Sequence, residues 1–402
     1  MDLDVLEGGG EKPLRDAKVG VSLMRCDGVS CSRESIVDGN FTHAQPSTTQ
    51  LMLMWGEAPR SVLLLKKLGP LLLPQVVEVM RMLKANGVTS VFVEEVVVEE
   101  VKGYLDADDF SALPIRAFHR EPVDFVVCLG GDGVILHASS IYQANCPPII
   151  GFNLGSMGFL APHSYLGVDG VLTSCVSGTG TAYDSYEEEG QVAYPGQSAF
   201  MQPSASGLPV TLRMRLRCDV LRAGETEPSE SFEVLNELCM DRGPSSFLSM
   251  IECLEVPLSG EPRLLTKVQA DGVLVATPTG STAYSVSAGG SMMHPSVPAI
   301  LVTPICPHSL SFRPVILPDS AVLQLRVPTD ARSTAWVCFD GKSRQELNRG
   351  DSVRIRMSEF PVPTVNWGDE MHEFVGSLER CLRWNDREEQ KPFSEGQNPL
   401  GA

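Results

Sequence analysis

Asp132 is a single carboxylate flanked by glycines, in Gly130-Gly131-Asp132-Gly133; it follows the apolar run Phe125-Val126-Val127-Cys128 and precedes a helical pattern from Val134 to Ala144. A strand that ends in such a turn and runs into a helix leaves backbone N–H groups bare of side chains, and such groups can receive a bulky anion. A carboxylate beside a phosphate cradle suits two tasks: taking a proton from an attacking hydroxyl, or holding Mg²⁺ between phosphate oxygens. Taken alone, the tetrapeptide is equally a turn whose Asp caps the next helix. No Walker A sequence occurs, so a P-loop mechanism is excluded.

Three further segments could complete a nucleotide site. The second Gly-rich turn, Asn153-Leu154-Gly155-Ser156-Met157-Gly158-Phe159-Leu160, lets backbone approach a ligand and offers Phe159 either to a flat ring or to the core. Asn236 and Glu237 could receive both hydroxyls of a ribose, but tandem strand residues face opposite ways, so a bulge or strand end is needed; an edge polar pair is the plain alternative. The densest cluster is Asp271-Gly272 followed by Ala276-Thr277-Pro278-Thr279-Gly280-Ser281-Thr282-Ala283-Tyr284-Ser285, rich in hydroxyls and N–H groups, with Tyr284 able to lie against a ring. Polar groups so concentrated need partners, which favours a ligand. His308 and Arg313 lie downstream as sources of positive charge.

Charge narrows the partners. The 402-residue chain has a formal net charge of -18, which argues against nucleic acid and would repel polyphosphates at long range. A phosphate site must therefore be built locally. From Gly272 to Pro318 there is no Asp or Glu, and Arg313 is the only Lys or Arg. The 11 cysteines are scattered and pair in no zinc pattern, so they read as reduced core thiols. The start, Met1-Asp2-Leu3-Asp4, has neither a basic nor an apolar leader and is too acidic for an ordinary transit peptide, and no apolar run reaches membrane-spanning length. The expectation is a soluble, cytoplasmic protein without membrane contact.

The elements that must position these residues follow from periodicity. Residues 1–50 read as a disordered tail. Residues 51–177 read as a Rossmann-like α/β domain: continuous apolar strands (Val62–Leu65, Thr89–Val93, Phe125–Cys128, Ile149–Phe152) alternate with helices, and both Gly-rich turns fall at the strands' carboxyl edge. The stretch from Glu94 to Asp109 reads as an acidic connector, and 178–207 as an exposed loop or insertion. Residues 208–369 read as mostly β. There Arg213, Arg215 and Arg217 alternate with apolar residues and are taken as a solvated sheet face. Phe374, Leu378, Leu382 and Trp384 fit an amphipathic helix within 370–386, and 387–402 reads as a disordered tail.

The ordered set of motifs resembles the NAD kinase family, most closely its eukaryotic ATP-dependent branch. The matching segments are Gly130–Gly133, Asn153–Ser156, Asn236-Glu237, Asp241-Arg242-Gly243, Asp271-Gly272, Thr277–Tyr284, Pro304-Ile305-Cys306-Pro307-His308-Ser309-Leu310-Ser311 and Phe339–Leu347. The resemblance implies a Rossmann-like N-terminal domain, a C-terminal β-sandwich, and a chain end that packs back on the first domain. It implies that Mg·ATP phosphorylates NAD at the adenosine 2′-hydroxyl, giving NADP and ADP, with Asp132 as base and Gly130, Gly131 and Gly133 approaching phosphate. Mg would be held mainly through the ATP phosphates. Phe159, Asn236, Glu237, Thr279, Thr282, Ala283, Tyr284 and Ser287 would bind the dinucleotide. Asp271 would reach a neighbouring subunit's ligand, implying a homo-oligomer, dimer or tetramer. Two residues depart from the family: Val134 stands where Thr is usual, removing a hydroxyl near the phosphates, and Met157 replaces Leu. Alternatives that share parts of the pattern are a lipid kinase of the diacylglycerol or sphingosine type and a non-catalytic NAD(P) sensor.

Overall fold

The computed structural model describes residues 21–26, 31–36, 50–155, 158–178, 207–257, 259–366 and 370–385, the first two segments and residue 50 by backbone alone. Residues 179–206 of the expected insertion (178–207), the terminal tail (387–402) and Met157 lie outside the described residues.

Five parallel strands lie side by side in the first sheet, in the order Ile149–Asn153, Phe125–Gly130, Ser61–Lys66, Ser90–Val93, Ile115–Ala117, the last at the sheet's edge. The first four are the continuous apolar runs of the sequence; the short edge strand Ile115-Arg116-Ala117 is an addition to that reading. The helices that pack around them are α1 (Leu73–Ala85), α2 (Glu95–Tyr104), α3 (Ala107–Ser111), α4 (Asp132–Ile141) and α5 (Val168–Ser177). The chain lays down Ser61–Lys66, moves outward through two strands, then returns to its other side with Phe125–Gly130. That reversal is a topological switch point, where parallel sheets open a crevice at the strands' carboxyl ends. Lys66, Lys67 and the Gly130 turn lie there, with Lys67 N–H donating to Leu129 O at 2.9 Å.

The rest of this sheet departs from the sequence reading. Leu208–Arg213 and Val362–Val365, expected in the second domain, pair with each other and extend the first sheet beside Ile149–Asn153. Gln50–Trp55 pairs with Leu208–Arg213, and Val21–Cys26 and Cys31–Ile36 continue the edge as an antiparallel pair. Part of the expected tail is therefore strand: the order is supplied by a sheet edge that only the folded chain presents. The Glu94–Asp109 connector is likewise helical, because Val97 and Val101 are buried on one face of α2 while Glu95 and Glu99 stay outside and Glu100 pairs with the buried Lys66 at 2.7 Å.

The second unit is a sandwich of two six-stranded antiparallel sheets. Their facing residues form one apolar core that includes Leu216, Val220, Leu238, Met240, Val273, Val275, Val337 and Ile355. Two short helical turns, Thr279–Thr282 (3₁₀) and α6 (Tyr284–Ser287), sit above the second sheet. α7 (Glu370–Leu382) follows the return strand Val362–Val365. No helix among the described residues is long and apolar enough to cross a membrane.

Two of the three arginines in the row, Arg213 and Arg215, are not solvated, while Arg217 stays partly exposed and pairs with Asp219 and Glu233. Arg215 is fully buried and donates to Phe360 O, Tyr142 O and Ala144 O, each at 2.6 Å, so it caps the carbonyl end of α4 and ties it to the sandwich. Arg213 is buried as well and donates to Thr364 Oγ1 at 3.0 Å. Alternation alone reads one sheet face as wet, but here the face is covered by the other domain.

Candidate functional site

Asp132 opens α4 one residue after its cap, Gly131. Gly130 adopts φ +154°, and a Cβ there would meet Val134 Cγ2 at 2.7 Å, so only glycine lets the strand turn this tightly. The Asp132 carboxylate does not cap its own helix. It reaches across to the second Gly-rich turn, accepting the Phe159 N–H on Oδ2 and the Leu160 N–H on Oδ1, each at 2.9 Å. A Cβ on Gly158 would lie 2.0 Å from Oδ1, which is why a glycine stands there. The two turns are thereby one unit, while each carboxylate oxygen keeps further lone-pair capacity. Val134, the departure from the family pattern, is buried beneath the turn among Leu63, Cys128 and Ile135.

On the sandwich side the chain crosses from one sheet to the other between Glu230–Val234 and Glu237–Asp241. Leu235 and Asn236 form that break, which supplies the strand end a tandem pair requires. Asp340 holds it: its carboxylate accepts N–H groups of Leu235 (2.8 Å), Asn236 (2.7 Å) and Glu237 (3.1 Å). The sequence marks Asp340-Gly341 as a turn and places it in a family motif, but gives the carboxylate no role. Its position in the tight turn Asp340-Gly341, with φ +48°, was the available signal. Burial, then the neighbouring Asp340 charge, pushes the Glu237 carboxyl up to about 8, so it carries a proton at neutral pH. Its Oε2 is buried without a hydrogen-bond partner, as a group awaiting a ligand would be.

The hydroxyl-rich segment divides in two. Thr277, Ser281 and Ser285 are fully buried and build the turn itself: Thr277 Oγ1 donates to Leu235 O (2.6 Å) and accepts from Gly280 N–H (3.0 Å), Ser281 Oγ accepts from Met293 N–H (2.8 Å), and Ser285 bonds Thr303 (2.9 Å). A Cβ on Gly280 would lie 2.1 Å from Asn236 O, so these two segments touch backbone to backbone. Thr279 and Thr282 face a cleft that Phe159, Arg213, His294, Glu370, Glu373 and Phe374 also line. Ala283 closes the 3₁₀ turn through its N–H to Gly280 O at 3.0 Å, Tyr284 is half exposed beside it, and Ser287 is exposed one helical turn on.

Arg213 is the cation in the cleft. Burial lowers its pKa, while Glu370, Glu373 and Asp132 act in the opposite sense and keep it charged. Glu370 anchors α7 across the cleft mouth through Thr211 Oγ1 (2.6 Å) and Ser296 Oγ. Lys67, exposed at the switch point beside Gly130, is a second cation that sequence reasoning missed; Lys66-Lys67 at the carboxyl end of an apolar strand was its signal. Asp271 is not part of this cleft. It pairs with Arg242 at 2.9 Å, at the opposite end of the strand Gly272–Ala276, about 20 Å along from Thr277.

A parallel sheet with a lone carboxylate at its switch point, facing a β-sandwich that offers a hydroxyl-rich turn, defines a two-domain nucleotide-binding protein. Residues 63–179 match the ATP-NAD kinase N-terminal domain and residues 235–367 the ATP-NAD kinase C-terminal domain. The chain belongs to the NAD kinase family. It is 49% identical over 377 residues to NAD kinase 2, chloroplastic, of Arabidopsis thaliana, covering 93% of this chain and 35% of that protein. An NAD kinase 3 of Oryza sativa subsp. japonica is 36% identical, covering 89% of this chain and 67% of that protein. Yeast NADH kinase, solved in complex with NADH, superposes with TM-score 0.70 at 28% identity, covering 88% of this chain and 95% of that one. The chain thus spans about a third of the length of its Arabidopsis relative. The lipid-kinase alternative is set aside by these matches. The cytoplasmic expectation is overturned too, since a plant relative at 49% identity is chloroplastic. Composition of a folded domain carries no address, because targeting resides in separable segments.

Proposed function

We propose that this chain transfers the γ-phosphoryl group of Mg·ATP to the 2′-hydroxyl of the adenosine ribose of NAD, in a plastid, and releases NADP and ADP. The observation that carries the proposal is the pinned Asp132 carboxylate, fixed by the Phe159 and Leu160 N–H groups at the sheet's carboxyl edge. A base held so rigidly loses little on receiving a proton in line with the attack. Glu237, protonated and with its Oε2 open, donates toward a ribose oxygen while Asn236 offers its amide. Phe159, Thr279 and Thr282 border the adenosine, and Ala283 and Tyr284 flank it. Gly130, Gly131 and Gly133 leave N–H groups open to phosphate, with Lys67 and Arg213 as the local cations that an acidic chain needs.

The donor set suits magnesium carried on the substrate. Mg²⁺ is ordinarily held by one or two carboxylates plus phosphate oxygens, and no cluster of three or more His, Cys, Asp or Glu forms a cage among the described residues. When bound, the ion neutralises charge on the transferring phosphoryl. Asp271, remote from its own cleft, serves a neighbouring subunit's ligand, which makes the working form a homo-oligomer.

Purified protein with Mg·ATP and NAD, assayed for NADP, tests this reading. Asp132→Asn retains the fold and loses roughly 10²-fold or more of the rate. Saturable NAD binding without ADP release would favour the sensor instead.

A further inference from the structure

Cys239 and Cys338 stand directly opposite one another on the antiparallel strands Glu237–Asp241 and Ala335–Phe339. Residues so paired have Cα atoms about 4.5–5.5 Å apart, inside the roughly 4.4–6.8 Å span of a disulfide. Their neighbours Leu238, Met240, Val337 and Phe339 belong to the sandwich core, so both thiols emerge on the opposite face of the sheet. Glu237 and Asp241 share that face, as does Trp336, over which the Arg344 guanidinium lies at 5.5 Å. Both cysteines are free thiols; Cys239 is 6% exposed and Cys338 half-buried.

The two thiols are unequal. Hydrogen bonding from Cys239 holds the Cys338 thiol down at about 7, with the Arg344 charge acting in the same sense while burial and the Asp241 charge oppose it. The same hydrogen bond, then burial, pushes Cys239 up, and Cys338 is also the more exposed of the two, so it is the member that an outside disulfide reaches first. The other buried cysteines whose thiols are perturbed, such as Cys128, Cys175 and Cys218, are all pushed up by burial.

We propose that Cys239 and Cys338 form a redox-modification site, a cross-strand dithiol that closes to a disulfide by exchange with an oxidised dithiol or small-molecule disulfide. The Cys338 thiolate attacks one sulfur of that acceptor, forming a mixed disulfide and expelling one thiolate, which takes up a proton. Cys239 then loses its proton and attacks Cys338 Sγ; the bridge forms and the second acceptor thiol leaves. Two electrons and two protons pass to the acceptor, and the chain keeps no adduct. The bridge lies two positions from Glu237 on one strand and two from Asp340 on the other, against the turn that Asp340 holds.

Incubating the full chain in mixtures of oxidised and reduced glutathione, followed by peptide mass mapping, tests the assignment. A linked peptide is required rather than a thiol count, because Cys26 and Cys31 also stand opposite one another in register. The expected result is a Cys239–Cys338 linked peptide that dithiothreitol reverses. In Cys239→Ser a glutathione adduct accumulates on Cys338, whereas Cys338→Ser leaves Cys239 unmodified. Folded wild-type protein, verified by circular dichroism, that shows neither the linked peptide nor an adduct on Cys338 in fully oxidising buffer overturns the proposal. Equal modification of Cys239 in Cys338→Ser overturns the assigned order of attack.

Discussion

Phe159 donates its backbone N–H to Asp132 Oδ2 at 2.9 Å, joining two glycine-rich turns that lie 27 residues apart in the chain. The carboxylate that starts α4 is thereby aimed by the segment after the next strand, not by its own helix. Ordering one turn orders the other, and Phe159 is held in register with the Asp132 carboxylate.

Gly158→Ala separates that coupling from folding. The new methyl would fall 2.0 Å from Asp132 Oδ1, and the side-chain end can yield more cheaply than backbone. The expected outcome is a melting temperature close to wild type with NADP formation reduced by about 10²-fold, because the displaced base no longer lines up. Steady-state kinetics beside thermal denaturation checks it; full activity would sever the coupling from catalysis.

The raised Glu237 pKa gives stability a definite pH slope. In the unfolded chain this carboxyl ionises near its ordinary value of 4.5; in the fold it does so at about 8. Between these values the native state binds more protons than the unfolded state, so this group's contribution falls as pH rises from about 5 to 8 and is flat beyond. Glu237→Gln removes the slope. Urea denaturation of both proteins across that range should show wild type losing stability relative to the variant with rising pH; a constant difference contradicts the assignment.

Asp340→Ala leaves the N–H groups of Leu235, Asn236 and Glu237 without their acceptor. Buried donors without partners cost about 1–3 kcal/mol each, less whatever water repairs, so a loss on the order of 3 kcal/mol is expected. Under the proposed function the KM for NAD should rise while the KM for ATP changes less. Denaturant titration and two-substrate kinetics read the two effects.

Arg215→Lys does not substitute for arginine. One ammonium cannot reach Phe360 O, Tyr142 O and Ala144 O together, as the planar guanidinium does. Breaking a buried charged clamp costs about 3–5 kcal/mol, and urea unfolding of the variant measures it.

Legibility in the sequence followed the range of each signal. The parallel strands Ser61–Lys66, Ser90–Val93, Phe125–Gly130 and Ile149–Asn153 were plain, because strands buried on both faces are apolar throughout; the short, part-exposed edge strand Ile115–Ala117 carries no such run and was missed. Asp132, Phe159, Asn236, Glu237, Thr279 and Thr282 were marked by glycine-rich or hydroxyl-rich surroundings that few structural roles require. Thr277, Ser281 and Ser285 carried the same mark, yet they bond the turn's own backbone or neighbouring side chains. A residue type records that a partner is needed, not which partner it finds.

The chain's own residues determined where strands end in glycine, which segments hold acid and hydroxyl groups, and the family to which they belong. Those features are local, set by sterics and periodicity within a few residues. The folded molecule decided that Arg213 and Arg215 lie inside, that Gln50–Trp55 and Leu208–Arg213 complete the first sheet, and that Asp340 holds the Asn236 turn. Each of these depends on which surface covers which across a hundred residues or more. Burial and hydrogen bonding act through space, and only the assembled domains bring those partners together.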